Sequence, residues 1–292
     1  MKPCVLALGF FDGVHLGHGA LLRRTRELAD ELHLTAAALT FDTHPDTLVR
    51  GETVPLLNTA DERAILMRGL YGIDEVRTLH FDETTMAQPW QSFVRDTLKQ
   101  TYRAAYVVCG EDFRFGAGGE GTAEKLRAEC EALGIGCDVI AQVCMEGQIV
   151  SSTCIRAFLQ DGETARAVRF LGHCHLLSGT VIRGQRLGRT LGIPTANFEI
   201  ADGLVLPKFG VYAADTELDG RTYRCVVNIG TRPTVGGTSV TVEPWILDFD
   251  GDLYGHEIRI ELIDFLRPER KFDSLEELKS EILRNAETVR NM

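Results

Sequence analysis

Residues 4–18 read CVLALGFFDGVHLGH, the most informative stretch in the first half of the chain. The apolar run from Cys4 to Phe11 is typical of a buried strand, and the turn-like segment DGVHLGH follows it. Apolar side chains then recur at helical spacing between Leu21 and Leu32. The pattern predicts a strand, a loop and a helix, in that order.

The same alternation of strands and helices continues through the first half. Strand-like runs lie at 34–41, 75–80, 104–110 and 137–143, and helical patterns lie at 61–70, 89–100 and 123–133. Strands that alternate with helices of this length indicate a parallel sheet with right-handed crossovers. We therefore expect an α/β fold in this half.

From about residue 177 the pattern changes to strand-like runs separated by Gly, Asp and Pro turns, which indicates a mostly antiparallel β structure. We expect a tight hairpin around Asp250-Gly251. A final helix begins after Ser274, where Glu277 completes a capping box. Between the two halves, residues 157–176 are predicted to form a short helix and a linker.

Composition excludes several classes of protein. The chain has 292 residues, a net charge of −11 and an acid excess in both halves, whereas nucleic-acid binding needs a basic face. No apolar run approaches the roughly 18 residues of a membrane span. The 8 cysteines include no CxxC pair, so we expect reduced thiols and a cytoplasmic protein.

The loop after the first strand carries two histidines, His15 and His18, in an HxGH arrangement at the start of a helix. Free N–H groups and the positive end of the helix dipole favour phosphate binding there, and Gly13 and Gly17 allow close backbone approach. Imidazoles in this place can donate hydrogen bonds to a phosphate during an in-line displacement. An HxGH sequence alone is equally consistent with a surface turn.

Three distant segments strengthen the phosphate interpretation. Residues 151–156 read SSTCIR, with hydroxyls and a guanidinium suited to a polyphosphate. The segments 41–45 (FDTHP) and 110–116 (GEDFRFG) each follow a predicted strand, and parallel sheets bind ligands beyond such strand ends.

The second half has its own candidate nucleotide site. Residues 179–197 contain Gly184, Gly188 and Gly192 at regular spacing, and a Gly-rich flap can fold its N–H groups over a phosphate. The segment lacks the GK[ST] ending of a Walker A loop, and ordinary turns are an alternative. Thr195 and Asn197 share a face in extended chain, where their oxygen atoms suit Mg²⁺; an Asx or ST turn is the other interpretation.

Glu243 is the candidate base of the second half. Strand alternation in VTVEPWILDFD places Glu243 with Thr241 and Trp245, opposite Val242 and Pro244. A carboxylate between Thr and Trp can be a half-buried base, whereas an exposed strand glutamate is the alternative.

Taken in order, these motifs resemble those of the bacterial bifunctional riboflavin kinase/FMN adenylyltransferase family, also called FAD synthetase. The resemblance covers nearly the whole chain and includes GFFDGVHLGH, FDTHP, LLNTADERAILMRGLYGIDEV, GEDFRFG, SSTCIR, GTVIRGQRLGRTLGIPTANF, LPKFGVYA, NIGTRPT and VEPWILDFDGDLYG. It implies a Rossmann-like HxGH nucleotidyltransferase domain at 1–172, including the linker helix. It also implies a riboflavin kinase domain at 173–292, an antiparallel six-stranded β-barrel with a C-terminal helix.

The resemblance also implies roles for individual residues. In the adenylyltransferase, His15 and His18 would be catalytic. The ATP-binding residues would be Gly9, Phe10, Asp12, Gly17, Ser151, Ser152, Thr153 and Arg156, and the flavin-binding residues Phe41, His44, Asp112 and Phe113. In the kinase, Glu243 would accept the proton of the riboflavin 5′-hydroxyl, and Arg267 and Arg270 would bind the flavin. ATP would be bound there by Gly184, Gly188, Arg189, Thr195 and Asn197, of which Thr195 and Asn197 would also hold Mg²⁺.

The implied function has two steps: riboflavin and ATP give FMN and ADP, and FMN and ATP give FAD and pyrophosphate. Mg²⁺ would assist both steps, and we expect only small-molecule partners, with no nucleic acid or membrane, and a monomer or weak homo-oligomer. One alternative is another HxGH adenylyl- or cytidylyltransferase. A second is a flavin- or nucleotide-binding protein that has lost one or both activities. The chain differs from the family pattern at Cys154, Pro244 and Trp245.

Overall fold

The computed structural model describes residues 2–51, 53–183, 192–234 and 237–292. The chain divides into two compact units, Met1–Ser152 and Thr153–Met292. The predicted domain boundary after residue 172 therefore lies inside the second of these units, and as a boundary between functional domains it stays a prediction.

The first unit alternates strands with helices. Its elements are β1 (Cys4–Leu8), α1 (Leu16–Leu32), β2 (Thr35–Phe41), α2 (Pro45–Arg50), α3 (Ala60–Tyr71), β3 (Glu75–Leu79), α4 (Glu83–Met86), α5 (Trp90–Ser92), β4 (Ala104–Gly110), α6 (Ala123–Ala132), β5 (Gly136–Ile140) and a small hairpin of β6 (Cys144–Met145) and β7 (Gln148–Ile149). The helix predicted over 89–100 begins as α5 and continues as wider π-helical turns over Phe93–Thr101.

Strands β1 to β5 form one parallel sheet, as the sequence predicts, and the structure shows their order to be β3-β2-β1-β4-β5. Alternate residues of β1 enter two different cores, because Leu6 packs with α6 on one face and Val5 packs with α1 on the other. All five residues of β1 are buried, which explains its continuous apolar sequence.

The strand order brings three carboxyl ends side by side at the centre of this sheet. Strand β1 lies between β2 and β4, and the connection from β1 to α1 begins there. The chain order reverses at β1, and doubly wound sheets bind ligands in the crevice at such a reversal. The HxGH loop is therefore at the position where this fold holds a ligand.

The second unit begins with α7 (Ser152–Asp161) and α8 (Thr164–Leu171). Its strands are β8 (His175–Thr180), β9 (Phe198–Glu199), β10 (Gly210–Leu218), β11 (Arg221–Thr234), β12 (Gly237–Ile246) and β13 (Glu257–Pro268), and α9 (Leu275–Arg290) follows them. The prediction of one short helix and a linker over 157–176 is wrong, because two helices occupy this segment and α8 packs against β13.

The six strands form an antiparallel sheet in the order β8-β13-β10-β11-β12-β9 that curls into a nearly closed barrel. The first and last strands approach where Gly179 of β8 faces Phe198 of β9, so closely that a Cβ at Gly179 would collide with the ring. The hairpin predicted at Asp250-Gly251 is wrong, since that loop joins β12 to β13 and these strands are not neighbours in the sheet.

Helix α9 covers the outside of this barrel, as the family resemblance implies. The Ser274 side chain accepts a hydrogen bond from the Glu277 N–H at 3.1 Å, which confirms Ser274 as the N-cap. The predicted capping box is not completed, because the Glu277 carboxylate accepts from the Asp273 N–H at 3.1 Å instead of from Ser274. Ala286 and Val289 of α9 pack against Val211 of β10 and Leu247 after β12. This packing leaves the first half of α9 beside the open end of a cavity described below.

His175 in β8 is buried as a neutral ring, and this predicts acid sensitivity. It is 1 % exposed, and its Nε2 has no hydrogen-bond partner within the described residues. Burial, with a smaller effect of His173, lowers the pKa of His175 to about 3. Below pH 6.5 this histidine is protonated in the unfolded chain but stays neutral in the folded chain. The free energy of unfolding therefore falls as pH falls toward 3, by about 1.4 kcal/mol per pH unit.

We expect His175→Leu to remove this dependence. Between pH 7.5 and 5.0 the parent should lose about 2 kcal/mol more than the variant in urea unfolding followed at Trp245, in a Trp90→Phe background. The exposed His256 in the same unit provides the matched control, His256→Gln, which should behave as the parent. Equal acid losses in parent and His175→Leu would show that His175 is protonated in the folded state.

Candidate active sites

The loop between β1 and α1 is held in a tight and unusual backbone conformation. Phe11, Gly13 and Val14 all have positive φ, at 60°, 77° and 43°. A Cβ at Gly17 would lie 3.0 Å from Cε1 of His15, so glycine gives the first turn of α1 room for the imidazole. The loop thereby presents both histidines at the start of a 17-residue helix.

The two histidines of the loop form a stacked pair. Their ring centroids are 3.6 Å apart with an interplanar angle of 15°. His15 caps α1, since its Nδ1 accepts a hydrogen bond from the His18 N–H at 3.3 Å. The structure therefore brings together the two residues that the sequence proposes as catalytic.

His18 lies in an environment that disfavours a positive charge. Burial, with the nearby charges of His15 and Arg63, holds the pKa of His18 well below its usual range. Its Nδ1 is buried without a hydrogen-bond partner in the described part of the chain, and Phe11 packs on the ring edge. A neutral imidazole in this position donates through one ring N–H, which is the hydrogen bond that a phosphate oxygen accepts.

Two further predicted residues brace the loop. The Asp12 carboxylate is 2 % exposed and accepts a hydrogen bond from the Leu57 N–H at 2.8 Å. The Ser152 hydroxyl donates to the Asp12 carbonyl oxygen at 2.9 Å. Asp12 and Ser152 thus fix the backbone from which the histidines project.

The hydroxyl segment 151–156 spans the division between the two units. Ser152 belongs to the first unit and contacts the loop, whereas Thr153 and Arg156 belong to the second. Arg156 Nη2 donates to the Thr153 hydroxyl at 3.2 Å across one turn of α7. Binding of ATP phosphates by Ser151, Thr153 and Arg156 stays a prediction.

The residues predicted to bind flavin in the first unit lie at the ends of β2 and β4. His44 packs its ring edge-on against Phe10 with centroids 4.7 Å apart, which connects FDTHP to the HxGH loop. Phe41 contacts Phe81, and Phe113 stacks on Phe115. Asp112 follows β4 and accepts a hydrogen bond from Gln142 Nε2 at 3.4 Å.

Two buried polar residues of this site were not among the predicted ones. Arg63 on α3 is fully buried and contacts the ends of β1 and β2. Asn58, next to the Leu57 that binds Asp12, is 1 % exposed, and neither polar atom of its amide has a hydrogen-bond partner in the described residues. Both belong to the quoted segment LLNTADERAILMRGLYGIDEV, whose helical pattern gives no sign of their burial.

The unpartnered amide of Asn58 yields a prediction about stability. A buried amide without partners costs about 1–3 kcal/mol, and a leucine of similar shape carries no such cost. We expect Asn58→Leu to raise the free energy of unfolding by about that amount and to slow FAD formation. Urea unfolding and an FMN adenylylation assay provide the measurements. A less stable variant would mean that the Asn58 amide already has a partner, such as an ordered water.

Within the part of the second unit that the structure describes, two cavities share one lining residue. The larger cavity, of about 440 Å³, is lined by Gly192, Pro194, Asp250, Asp252 and Tyr254 among others. The smaller, of about 350 Å³, is lined by Asn228, Glu243, Trp245, Arg267 and Phe272 among others. Thr195 lines both cavities.

The PTAN segment is anchored beside the predicted base. The Ala196 N–H donates to the Pro244 carbonyl oxygen at 3.0 Å, so PTAN runs next to β12 one residue from Glu243. Asn197 is 7 % exposed, with its amide 3.5 Å from the Thr195 carbonyl oxygen. The hydroxyl and amide oxygens of Thr195 and Asn197 are hard donors of the kind Mg²⁺ takes, so this segment fits the ion.

Strand β12 confirms the alternation read from the sequence. Val242 is buried inside the barrel, whereas Trp245 packs on the outer side with α9. Glu243 is half-buried, lines the smaller cavity and lies opposite Asn228 of β11 in the antiparallel register.

The far wall of the smaller cavity contains the two predicted arginines. Arg267 and Arg270 line it, and both point toward Glu281 of α9, at 3.2 Å and 3.0 Å. A hydrogen bond from Arg284, aided by these charges, lowers the pKa of Glu281, which is 6 % exposed. Through these ion pairs, Glu281 links Arg267 in β13 and Arg270 in the following segment to α9. Gly184, Gly188 and Arg189 lie outside the described residues.

Two more side chains of this cavity, Asn228 and Glu269, were missed by sequence reasoning. Asn228 Nδ2 donates to Glu269 Oε1 at 3.3 Å, and both residues line the cavity with Glu243. Asn228 belongs to the quoted NIGTRPT segment, but its proximity to Glu243 depends on the β11–β12 register. Two carboxylates therefore share one cavity.

A doubly wound unit with paired histidines at a helix start, followed by a barrel whose described residues line two cavities, is the architecture expected of a two-domain nucleotide-dependent transferase. Family models agree with this division: "FAD synthetase" matches residues 1–154 and "Riboflavin kinase" matches residues 171–292. The chain belongs to the family of bifunctional riboflavin kinases/FMN adenylyltransferases.

Relatives support this membership over the full length. The chain is 38% identical to the bifunctional riboflavin kinase/FMN adenylyltransferase of Escherichia coli K12, covering 99% of this chain and 92% of that protein. It is 34% identical to the enzyme of the same name from Haemophilus influenzae, covering 99% and 94%. A crystal structure described as a macrolide-efflux protein from Streptococcus pneumoniae has a TM-score of 0.88 at 30% identity and covers 100% of this chain and 95% of its own.

Proposed function

We propose that this chain converts riboflavin to FMN in its second unit and FMN to FAD in its first, as its family name states. The observation that carries the proposal is that each unit contains its own polar site. One is built on the stacked pair His15 and His18, and the other on Thr195 and Glu243 at the meeting of two cavities.

In the first unit, a phosphate oxygen of FMN attacks the α-phosphorus of ATP, and the bond to the β-phosphate breaks to release pyrophosphate. His15 and His18 donate hydrogen bonds to the phosphates as negative charge builds up in the transition state. Asp12 and Ser152 keep the loop in position for this. Gly9, Phe10 and Gly17 allow the nucleotide to approach the backbone, and His44 lies on the flavin side.

In the second unit, the larger cavity takes ATP and the smaller takes riboflavin, so that the γ-phosphate and the 5′-hydroxyl meet at Thr195. Glu243 accepts the hydroxyl proton as the oxygen attacks the γ-phosphorus, and ADP leaves. Thr195 and Asn197 would hold Mg²⁺, which would supply positive charge to offset that of the ATP phosphates. Arg267 and Arg270 close the riboflavin side.

We further propose a cytoplasmic enzyme that acts as a monomer or weak homo-oligomer on small molecules alone. Among the described residues, none of the helices combines the length and the apolar character needed to cross a membrane.

Two assays test the proposal separately. Riboflavin with ATP and Mg²⁺ should give FMN and ADP, and FMN with ATP and Mg²⁺ should give FAD and pyrophosphate. A protein that binds flavin but yields neither ADP nor pyrophosphate in a single turnover would be a binding protein with lost activities. An acceptor other than FMN that is adenylylated faster would favour a different HxGH transferase.

A further inference from the structure

Arg63 is the side chain whose placement the two-step chemistry leaves unexplained. It lies on α3, is 0 % exposed, and is among the largest fully buried side chains. Its Nη1 donates to the Phe10 carbonyl oxygen at 2.6 Å, and its Nη2 donates to the Phe41 carbonyl oxygen at 3.1 Å. Arginine is rarely buried without a charged partner, so the complete burial of Arg63 requires an explanation.

The charge of Arg63 is not compensated by an ion pair. No carboxylate of the described residues lies within ion-pair distance of its guanidinium, and its Nε is buried without a partner. Besides its hydrogen bonds to carbonyl oxygens, the guanidinium is stabilised by the Phe10 ring, whose centroid lies 4.2 Å from the guanidinium carbon. Burial of an unpaired cation is costly, and such groups gather at functional sites.

We propose that Arg63 is a positioning residue for adenylyl transfer, which ties the ends of β1 and β2 together and places a fixed positive charge beneath the loop of His15 and His18. The proposal rests on the proposed function of the first unit. Arg63 acts indirectly: it holds the backbone of the loop in place, and its charge acts on His18.

The geometric part of this role follows from the hydrogen bonds. Phe10 precedes the loop, Phe41 begins the FDTHP segment, and one guanidinium spans both carbonyl oxygens. Thr40 completes the arrangement, because its hydroxyl donates to the Phe10 carbonyl oxygen at 2.8 Å and lies 3.3 Å from Arg63 Nη1. A lysine ammonium lacks the planar fork that reaches two acceptors in fixed directions.

The electrostatic part concerns His18. Burial is the largest cause that lowers the pKa of His18, and the charges of His15 and Arg63 lower it further. Burial also lowers the pKa of the Arg63 guanidinium, and the nearby carboxylates of Asp12 and Asp42 oppose that shift and favour the charged form. A buried cation acts through a medium of low dielectric, so its effect on a neighbour exceeds that of an exposed one. Arg63 thus supplies the permanent charge of the site, and His18 stays a neutral hydrogen-bond donor.

The test compares Arg63→Met and Arg63→Lys with the parent in the full chain. We expect Arg63→Met to lower kcat for FAD formation by on the order of 10²-fold and to raise the NMR titration midpoint of the His18 ring by about one pH unit. Arg63→Lys keeps the charge, so its His18 midpoint should stay near that of the parent while kcat falls by about tenfold because the fork is lost.

Arg68 provides the matched control, since it is an exposed arginine on the same helix. Arg68→Met should leave both kcat and the His18 midpoint unchanged, and riboflavin kinase activity should persist in every variant. An unchanged His18 midpoint in Arg63→Met, or parental kcat in Arg63→Lys, would overturn the proposal. If Arg63→Met does not fold, Arg63→Lys decides alone. A parent that makes no FAD would refute the proposed function instead and leave the titration result standing.

Discussion

Glu243→Gln should lower FMN formation by roughly 10²- to 10⁴-fold, because the amide keeps the shape of the carboxylate and one accepting oxygen but cannot take up the proton of the riboflavin 5′-hydroxyl. The variant should fold, since Glu243 is only half-buried and lies at the wall of a cavity. Initial rates of ADP and FMN formation at saturating riboflavin provide the measurement.

Three comparisons make this result specific. Glu199→Gln changes an exposed glutamate on β9, the neighbouring strand, and should have no effect. FAD formation from supplied FMN should stay near the parental rate, since the first unit has its own site. Glu269 shares the cavity with Glu243. If Glu243→Gln keeps parental activity and Glu269→Gln loses it, then Glu269 is the base.

His18→Ala should slow FAD formation by on the order of 10²-fold or more while weakening ATP binding much less. A hydrogen-bond donor directed at developing charge contributes mainly in the transition state, and His18 has a half-buried ring whose Nδ1 is buried with no hydrogen-bond partner in the described residues. Single-turnover FAD formation gives the rate, and equilibrium titration with ATP gives the affinity.

His33→Gln is the matched control, because His33 is an exposed histidine that ends the same helix. Equal losses in ATP affinity and turnover for His18→Ala would reduce His18 to a ground-state contact. Riboflavin phosphorylation should be unaffected in both variants, which separates lost chemistry from lost structure.

Much of the fold follows from local patterns in the sequence. A buried strand such as β1 is visible in the sequence as a continuous apolar run. The buried face of α1 is visible as apolar residues at helical spacing, because each pattern depends only on which side chains one element buries. The proximity of His15 and His18 was predictable because it is also local: the two residues are three positions apart at the start of one helix.

Features that depend on distant contacts could not be predicted. Arg63 reads as a surface residue of α3, and only the folded sheet places the Phe10 and Phe41 carbonyl oxygens within its reach. The Asp250-Gly251 turn resembles a hairpin locally, but β13 pairs with β10 and β8 instead. The position of Thr195 in the lining of two cavities likewise depends on the distant contact between its segment and β12.

We propose that this one chain uses two different phosphorus atoms of ATP at two sites. Incubation of the protein with riboflavin, Mg²⁺ and ATP labelled with ³²P at either the α- or the γ-position tests this directly. We expect FAD that carries one α-derived phosphate in its AMP half and one γ-derived phosphate in its flavin half, in equal amounts. FAD labelled only from the α-position, or flavin products without label from either, would contradict it.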